Sequence, residues 1–238
     1  MREWRNHVSS AAVLGMLSLG VCTAHAAAPA RTATAVTEFR RKIPLNAPRL
    51  DGDPYAKDLR EPLPAQAPGA VCSLRYEADT IHYTLRTFDG EAAAHDAGYV
   101  VTHKDGCGTC STLQDLAAYM ARPDLTAPVR SCALRSLTHS RTVRCLEELG
   151  LSHACAETWY YNSVNTRRQC FGLCIASLLK GEPSNRPDGS LNDCLQCGED
   201  NSGRVFKLVA GRTRRNSGIR SSIDRPEAEV YHITHDYY

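Results

Sequence analysis

The chain has 238 residues, 42% of them hydrophobic and 23% charged, with a formal net charge of +2. A chain of this size can bury a core of its own, which excludes a mini-protein held together by bridges alone, and beyond the first thirty residues no apolar run is long enough to cross a membrane. Net charge is close to balanced, but acidic residues from Glu182 to Asp200 precede a basic block from Arg204 to Arg225, so local charge says more than the total.

The first segment reads as a secretory signal. Arg2, Arg5 and His7 precede an apolar run from Ala11 to Val21, and Ala24-His25-Ala26 supplies a small-residue site with cleavage after Ala26. Cys22 invites a lipoprotein reading, which the bulky Val21 before it opposes. The mature chain carries no N-x-S/T acceptor. Together these features predict a bacterial periplasmic or secreted protein. Removing Cys22 with residues 1–26 reduces eleven cysteines to ten, and an even count in an exported chain reads as a disulfide framework.

Residues 27–69 are rich in proline and alanine and read as an extended arm, with only Glu38 to Leu45 resembling a strand. Residues 70–238 read as a single disulfide-rich globular domain. Val71 to Tyr76 and Thr80 to Phe88 alternate as strands joined by a turn at Glu77 to Asp79, placing Ile81, Tyr83 and Leu85 on one face. A third strand is expected from Gly98 to His103. From Ser111 the period becomes helical: Leu113, Leu116, Ala117 and Met120 form a stripe, Thr109 or Ser111 can cap it, and Pro123 ends it. Further helices are expected from Val129 to Leu137, Arg141 to Leu149 and Ser152 to Leu179, and short strands with Gly turns from Arg204 onward. The class is α+β: a small N-terminal antiparallel sheet, a disulfide-stapled helical core and a basic, loop-rich tail.

Cys107-Gly-Thr-Cys110 is the sharpest motif. A C-x-x-C between a strand and a helix resembles, over about a dozen residues, the active-site turn of thioredoxin-like oxidoreductases. That resemblance implies Cys107 as a nucleophile whose thiolate is stabilised by helix N-terminal amides, with Cys110 as the resolving thiol. The alternatives are a separate bridge for each cysteine, or metal binding. Cys170 and Cys174 lie one helical turn apart, and Cys194 and Cys197 follow after a loop, so Cys170–Cys197 and Cys174–Cys194 bridges would staple the long helix to the next segment. A four-thiolate zinc site is the competing reading.

The long helix also carries His153 and Glu157 one turn apart, able to share a metal or a proton if a third group came from His82 or His103, or else to form a solvated ion pair. Arg212-Thr-Arg214-Arg215-Asn216-Ser217-Gly218 offers guanidinium, amide and hydroxyl donors for carboxylate, sulfate or phosphate, or alternatively a basic turn paired with the preceding acids. No catalytic triad, P-loop, dinucleotide fingerprint or H-E-x-x-H occurs, and the sequence names no cofactor. The leading reading is an exported, disulfide-stabilised binder of an anionic small molecule, glycan or lipid headgroup, with no nucleic-acid partner. The alternative is an extracytoplasmic enzyme using either Cys107/Cys110 or His153/Glu157.

Overall fold

The computed structural model describes residues 27–56, 67–136 and 138–238; the signal segment and its cleavage site lie outside them. The fold is α+β and stapled by disulfides. Strands β1 (Ile43–Pro44), β2 (Val71–Tyr76), β3 (His82–Phe88) and β4 (Val100–Lys104) form one sheet in the order β1-β3-β2-β4. β2 pairs antiparallel with both neighbours, whereas β1 runs parallel to β3, so the sheet is mixed rather than antiparallel throughout. Val71, Cys72, Ser73 and Leu74 are buried on both faces because β2 is central. On β3 Tyr83 and Leu85 point into the core, while Ile81 falls before the strand and is exposed.

Among the described residues eight α-helices carry the rest: α1 (Ala27–Phe39), α2 (Glu91–Asp96), α3 (Leu113–Met120), α4 (Thr126–Arg135), α5 (His139–Glu148), α6 (His153–Lys180), α7 (Asp193–Gly198) and α8 (Arg204–Ala210). The expected extended arm is thus helical at its start. Its alanines favour a helix, and Ala35, Val36 and Phe39 bury themselves with Leu74, Tyr83, Leu113 and Leu116, sealing the sheet against α3. A second core joins Tyr119, Leu125, Val129, Val143, Leu146, Leu151 and Ala156 of α3 to α6. Thr112, rather than Thr109 or Ser111, caps α3 by accepting from the Asp115 N–H. Ser152 caps α6, and Gly181 ends it in the left-handed region at φ 62°.

The expected strands after Arg204 are absent; α7 continues through a π-helical turn (Glu199–Gly203) into α8. Val205 and Val209 favour strands locally, but packing of Phe206 on Trp159, with ring centroids 4.6 Å apart, outweighs that preference. Among the described residues no helix is long and apolar enough to cross a membrane.

Two buried histidines and a buried carboxyl titrate in opposition. His103 is fully enclosed: its Nδ1–H donates to the Lys104 carbonyl and its Nε2 accepts from the Ser111 hydroxyl, and burial reinforced by Arg212 holds the imidazole well below 6.5. His235 is likewise lowered to about 4, by burial and then by Arg212. Asp115 is buried at the junction of α3 and α6, accepting from Thr112, the Ser152 N–H and the Ser152 hydroxyl, and burial raises its carboxyl from 3.8 to about 6. The histidines therefore cost stability as pH falls from 6.5 towards 4, because the unfolded chain takes up protons the folded imidazoles refuse. Asp115 acts with the opposite sign between 3.8 and about 6, since there the folded carboxyl keeps a proton that the unfolded one releases. Asp115→Asn removes the opposing contribution, so the drop in Tm from pH 6.5 to 4 becomes steeper than in the parent, as read by circular-dichroism melts. A shallower drop would refute the assignment.

Candidate functional site

Among the described residues five disulfides are present: Cys72–Cys107, Cys110–Cys155, Cys132–Cys145, Cys170–Cys197 and Cys174–Cys194. The pair in the C-x-x-C motif is divided. Cys107 is bonded to central strand β2 and Cys110 to α6, so the two sulfurs are not a dithiol and the oxidoreductase geometry does not arise. The glycine between them has a different use. A Cβ on Gly108 would lie 2.4 Å from the Val209 carbonyl oxygen, and one on Gly211 would lie 2.4 Å from the Gly108 nitrogen. Two backbones cross here in contact, joined by Thr109 N–H to Val209 O and Cys110 N–H to Ala210 O, both 2.9 Å. The four cysteines assigned to a zinc site in the competing reading are consumed by the two bridges that staple α6 to α7.

His153 and Glu157 do lie together on α6, but loosely. The His153 Nε2 is 3.7 Å from Glu157 and its Nδ1 2.7 Å from Glu147, while His139 Nε2 approaches Glu157 at 3.6 Å. His153 is largely exposed, and His139 rests on the rings of Tyr160 and Tyr161. Neither sheet histidine joins them: His82 pairs with Asp79, and His103 is enclosed with Ser111. Among the described residues no group of three or more His, Cys, Asp or Glu is placed to hold a metal. The His103–Ser111 pair has the partners of a base and nucleophile, but both side chains are fully buried. It fixes the crossing loop instead, since the Ser111 hydroxyl also accepts from the Gly108 N–H.

The five residues of the basic turn separate into two roles. Arg212, Asn216 and Ser217 are buried scaffold. The Arg212 guanidinium donates to the carbonyls of Thr102, Cys110 and Ser111 and to the Ser217 hydroxyl, and the Asn216 amide donates to Lys104 and Gly211 carbonyls and the Asp105 carboxylate. Arg214 and Arg215 instead line a cavity of about 380 Å³ bounded by α4, α6, α7, the π-helical turn, α8 and residues 213–225.

The cavity walls differ in chemistry. α4 and α6 contribute Val129, Leu134, Phe171, Ile175 and Leu178, and Phe206 of α8 packs on Trp159, whose indole N–H donates to the Tyr119 hydroxyl at 3.3 Å. Six cationic side chains also line it: Arg130, Arg167, Lys207, Arg214, Arg215 and Arg225. Opposing them are two carboxylates, Asp124 and Glu199. Burial alone would raise the Glu199 carboxyl; Lys207 at 3.1 Å, Arg225 at 2.8 Å and Arg215 at 3.7 Å more than reverse this and hold it below its ordinary range. Arg214 is anchored on the carbonyls of Tyr119, Arg122 and Arg220, yet among the described residues its buried Nε–H has no partner. Burial lowers that guanidinium's pKa, as it does those of Arg212 and Arg225.

The apolar lining is the part not legible as a motif, because it is spread over separate segments from α3 to the tail. Its signal in the sequence is the run Phe171, Ile175 and Leu178 at helical spacing beside Cys170 and Cys174.

Residues 139–233, from α5 through the basic tail, match the model of a family of unknown function (DUF8771), which covers less than half of the chain. No curated protein and no solved structure matches it.

Two measurements check this arrangement. Non-reducing peptide maps will contain Cys72–Cys107 and Cys110–Cys155 peptides and no Cys107–Cys110 loop. Gly108→Ala or Gly211→Ala forces a Cβ into backbone atoms and will lower Tm sharply or prevent folding, whereas Gly172→Ala, with nothing within 4 Å, will stabilise α6 by about 0.8 kcal/mol.

Proposed function

We propose that this chain is an exported binding protein whose cavity takes an amphiphilic anion, an acyl chain that ends in a carboxylate or comparable acidic group. The observation that carries the reading is the joining of an aliphatic and aromatic wall to an excess of cations in one cavity of about 380 Å³. Volumes of this order hold small ligands, and a few polar groups in an apolar lining set orientation. The aliphatic wall suits an acyl chain better than a glycan. The headgroup would meet Arg214, Arg215 and Arg225, of which only the last two already share a carboxylate, Glu199. Five disulfides suit an oxidising compartment, in keeping with the signal read in residues 1–26.

Competition against a fluorescent long-chain fatty acid tests the proposal. Unlabelled palmitate will displace it far better than octanoate, because each buried methylene contributes about 0.8 kcal/mol, or roughly fourfold in affinity. Arg225→Ala will weaken palmitate about tenfold, the cost of one charge-assisted hydrogen bond. Ala133→Trp, whose parent side chain lines the cavity, will fill the space and abolish binding with the melting temperature retained. Sulfate competing as well as palmitate, or no saturable binding by folded protein, would overturn the assignment.

A further inference from the structure

Resting on the amphiphile reading above, we propose that the mouth of the cavity docks on an anionic lipid surface. Three large apolar side chains that line the cavity remain open to solvent, Leu134 of α4 at 64% exposed and Phe171 and Leu178 of α6 at 59% and 50%, and Leu179, next along α6, is 82% exposed. At 100° per residue, Arg167, Arg168, Phe171, Ile175, Leu178 and Leu179 fall within a stripe about 120° wide on α6. Arg167, Phe171, Ile175 and Leu178 of that stripe line the cavity together with Arg130 and Leu134, so α4 and α6 form one rim. A contiguous exposed apolar patch in a folded domain marks an interaction surface.

Charge decides what covers it. No Asp or Glu occurs between Thr126 and Arg144 or between Thr158 and Lys180, so α4 and the part of α6 that forms the rim carry cations without acids. An apolar patch bearing only arginines is complementary to acyl chains beneath acidic headgroups: the apolar side chains enter the interface while the guanidiniums stay with the phosphates. A second copy fits poorly. Two-fold self-association would bring this cationic patch onto itself, with no carboxylate on either rim helix segment to meet it. The position of the patch at the cavity mouth gives docking a use, since a chain drawn from the lipid layer would enter the cavity without crossing water.

The test is co-sedimentation of the full mature chain with vesicles of phosphatidylcholine alone or mixed equally with phosphatidylglycerol. The mixed vesicles will bind the protein at least tenfold more tightly, and raised salt will remove most of that preference. The double variant Arg168→Glu/Leu179→Ser alters the rim outside the cavity lining. It will lose vesicle binding at least tenfold while its affinity for the fluorescent fatty acid in solution stays within twofold. Fatty-acid binding without vesicle binding would overturn docking and leave the cavity reading standing. Vesicle binding without fatty-acid binding would support docking and overturn the cavity reading. A concentration-dependent dimer that the double variant disperses, with no vesicle binding, would overturn docking in favour of self-association.

Discussion

A fully buried guanidinium organises this fold. Arg212 has no solvent exposure and, among the described residues, no carboxylate within bonding distance, so its charge is held by oriented dipoles: three backbone carbonyls and one hydroxyl at 3.1 to 3.2 Å. Taking a guanidinium out of water is costly, and only a near-complete set of acceptors offsets that cost. The acceptors come from β4, from the loop between the sheet and α3, and from the tail. Each of these segments can reach its position only if the others are in place. The charge thus converts three separate stretches into one cooperative junction, and the field it produces reaches His103, His235 and Asp115.

The junction explains the chemistry of the neighbouring cysteines and glycines. Cys107 ties the crossing loop back to β2, and Cys110, three residues later, ties it forward to α6. Between them Gly108 lets the loop lie directly on residues 209–211, so that Cys110 and Ser111 present their carbonyls to Arg212. Gly218 serves a similar crossing on the far side of the turn, where a Cβ would meet the Tyr231 carbonyl at 2.7 Å. A C-x-x-C in this setting joins the sheet to the helices through two different partners, which a dithiol active site could not do.

Much of this was legible in the residues, and the failures have definable causes. The β2–β3 hairpin, α3, α4, α5 and α6 follow from periodicity, and the α6–α7 bridges follow from the one-turn spacing of Cys170 and Cys174. The helix α1 was obscured by the recurring prolines, while what decides the segment is the burial of Ala35, Val36 and Phe39 against the sheet and α3. The helix α8 was obscured because Val205 and Val209 favour strands, while what decides the segment is its docking on Trp159 of α6. The basic turn was legible as a cluster but not as a division of labour. Nothing in Arg-Thr-Arg-Arg says that Arg212 faces inward and Arg214 and Arg215 face a cavity, because that depends on which residues the chain crosses at Gly211 and Gly218.

That division links stability to the proposed site. The scaffold member, Arg212, precedes the cavity-facing members by two and three residues, so the same turn that satisfies the buried charge delivers Arg214 and Arg215 to the wall. The opposite wall is held differently. The C-terminal half of α6 exposes Phe171, Leu178 and Leu179, so hydrophobic burial contributes little to keeping it against α7. Cys170–Cys197 and Cys174–Cys194 supply that attachment covalently, and Cys174 and Cys194 themselves line the cavity. A chain large enough to fold on its own core spends two bridges where the core is absent. The bridges fix an apolar wall that would otherwise gain by collapsing inward, and in doing so they preserve the space between that wall and the arginines.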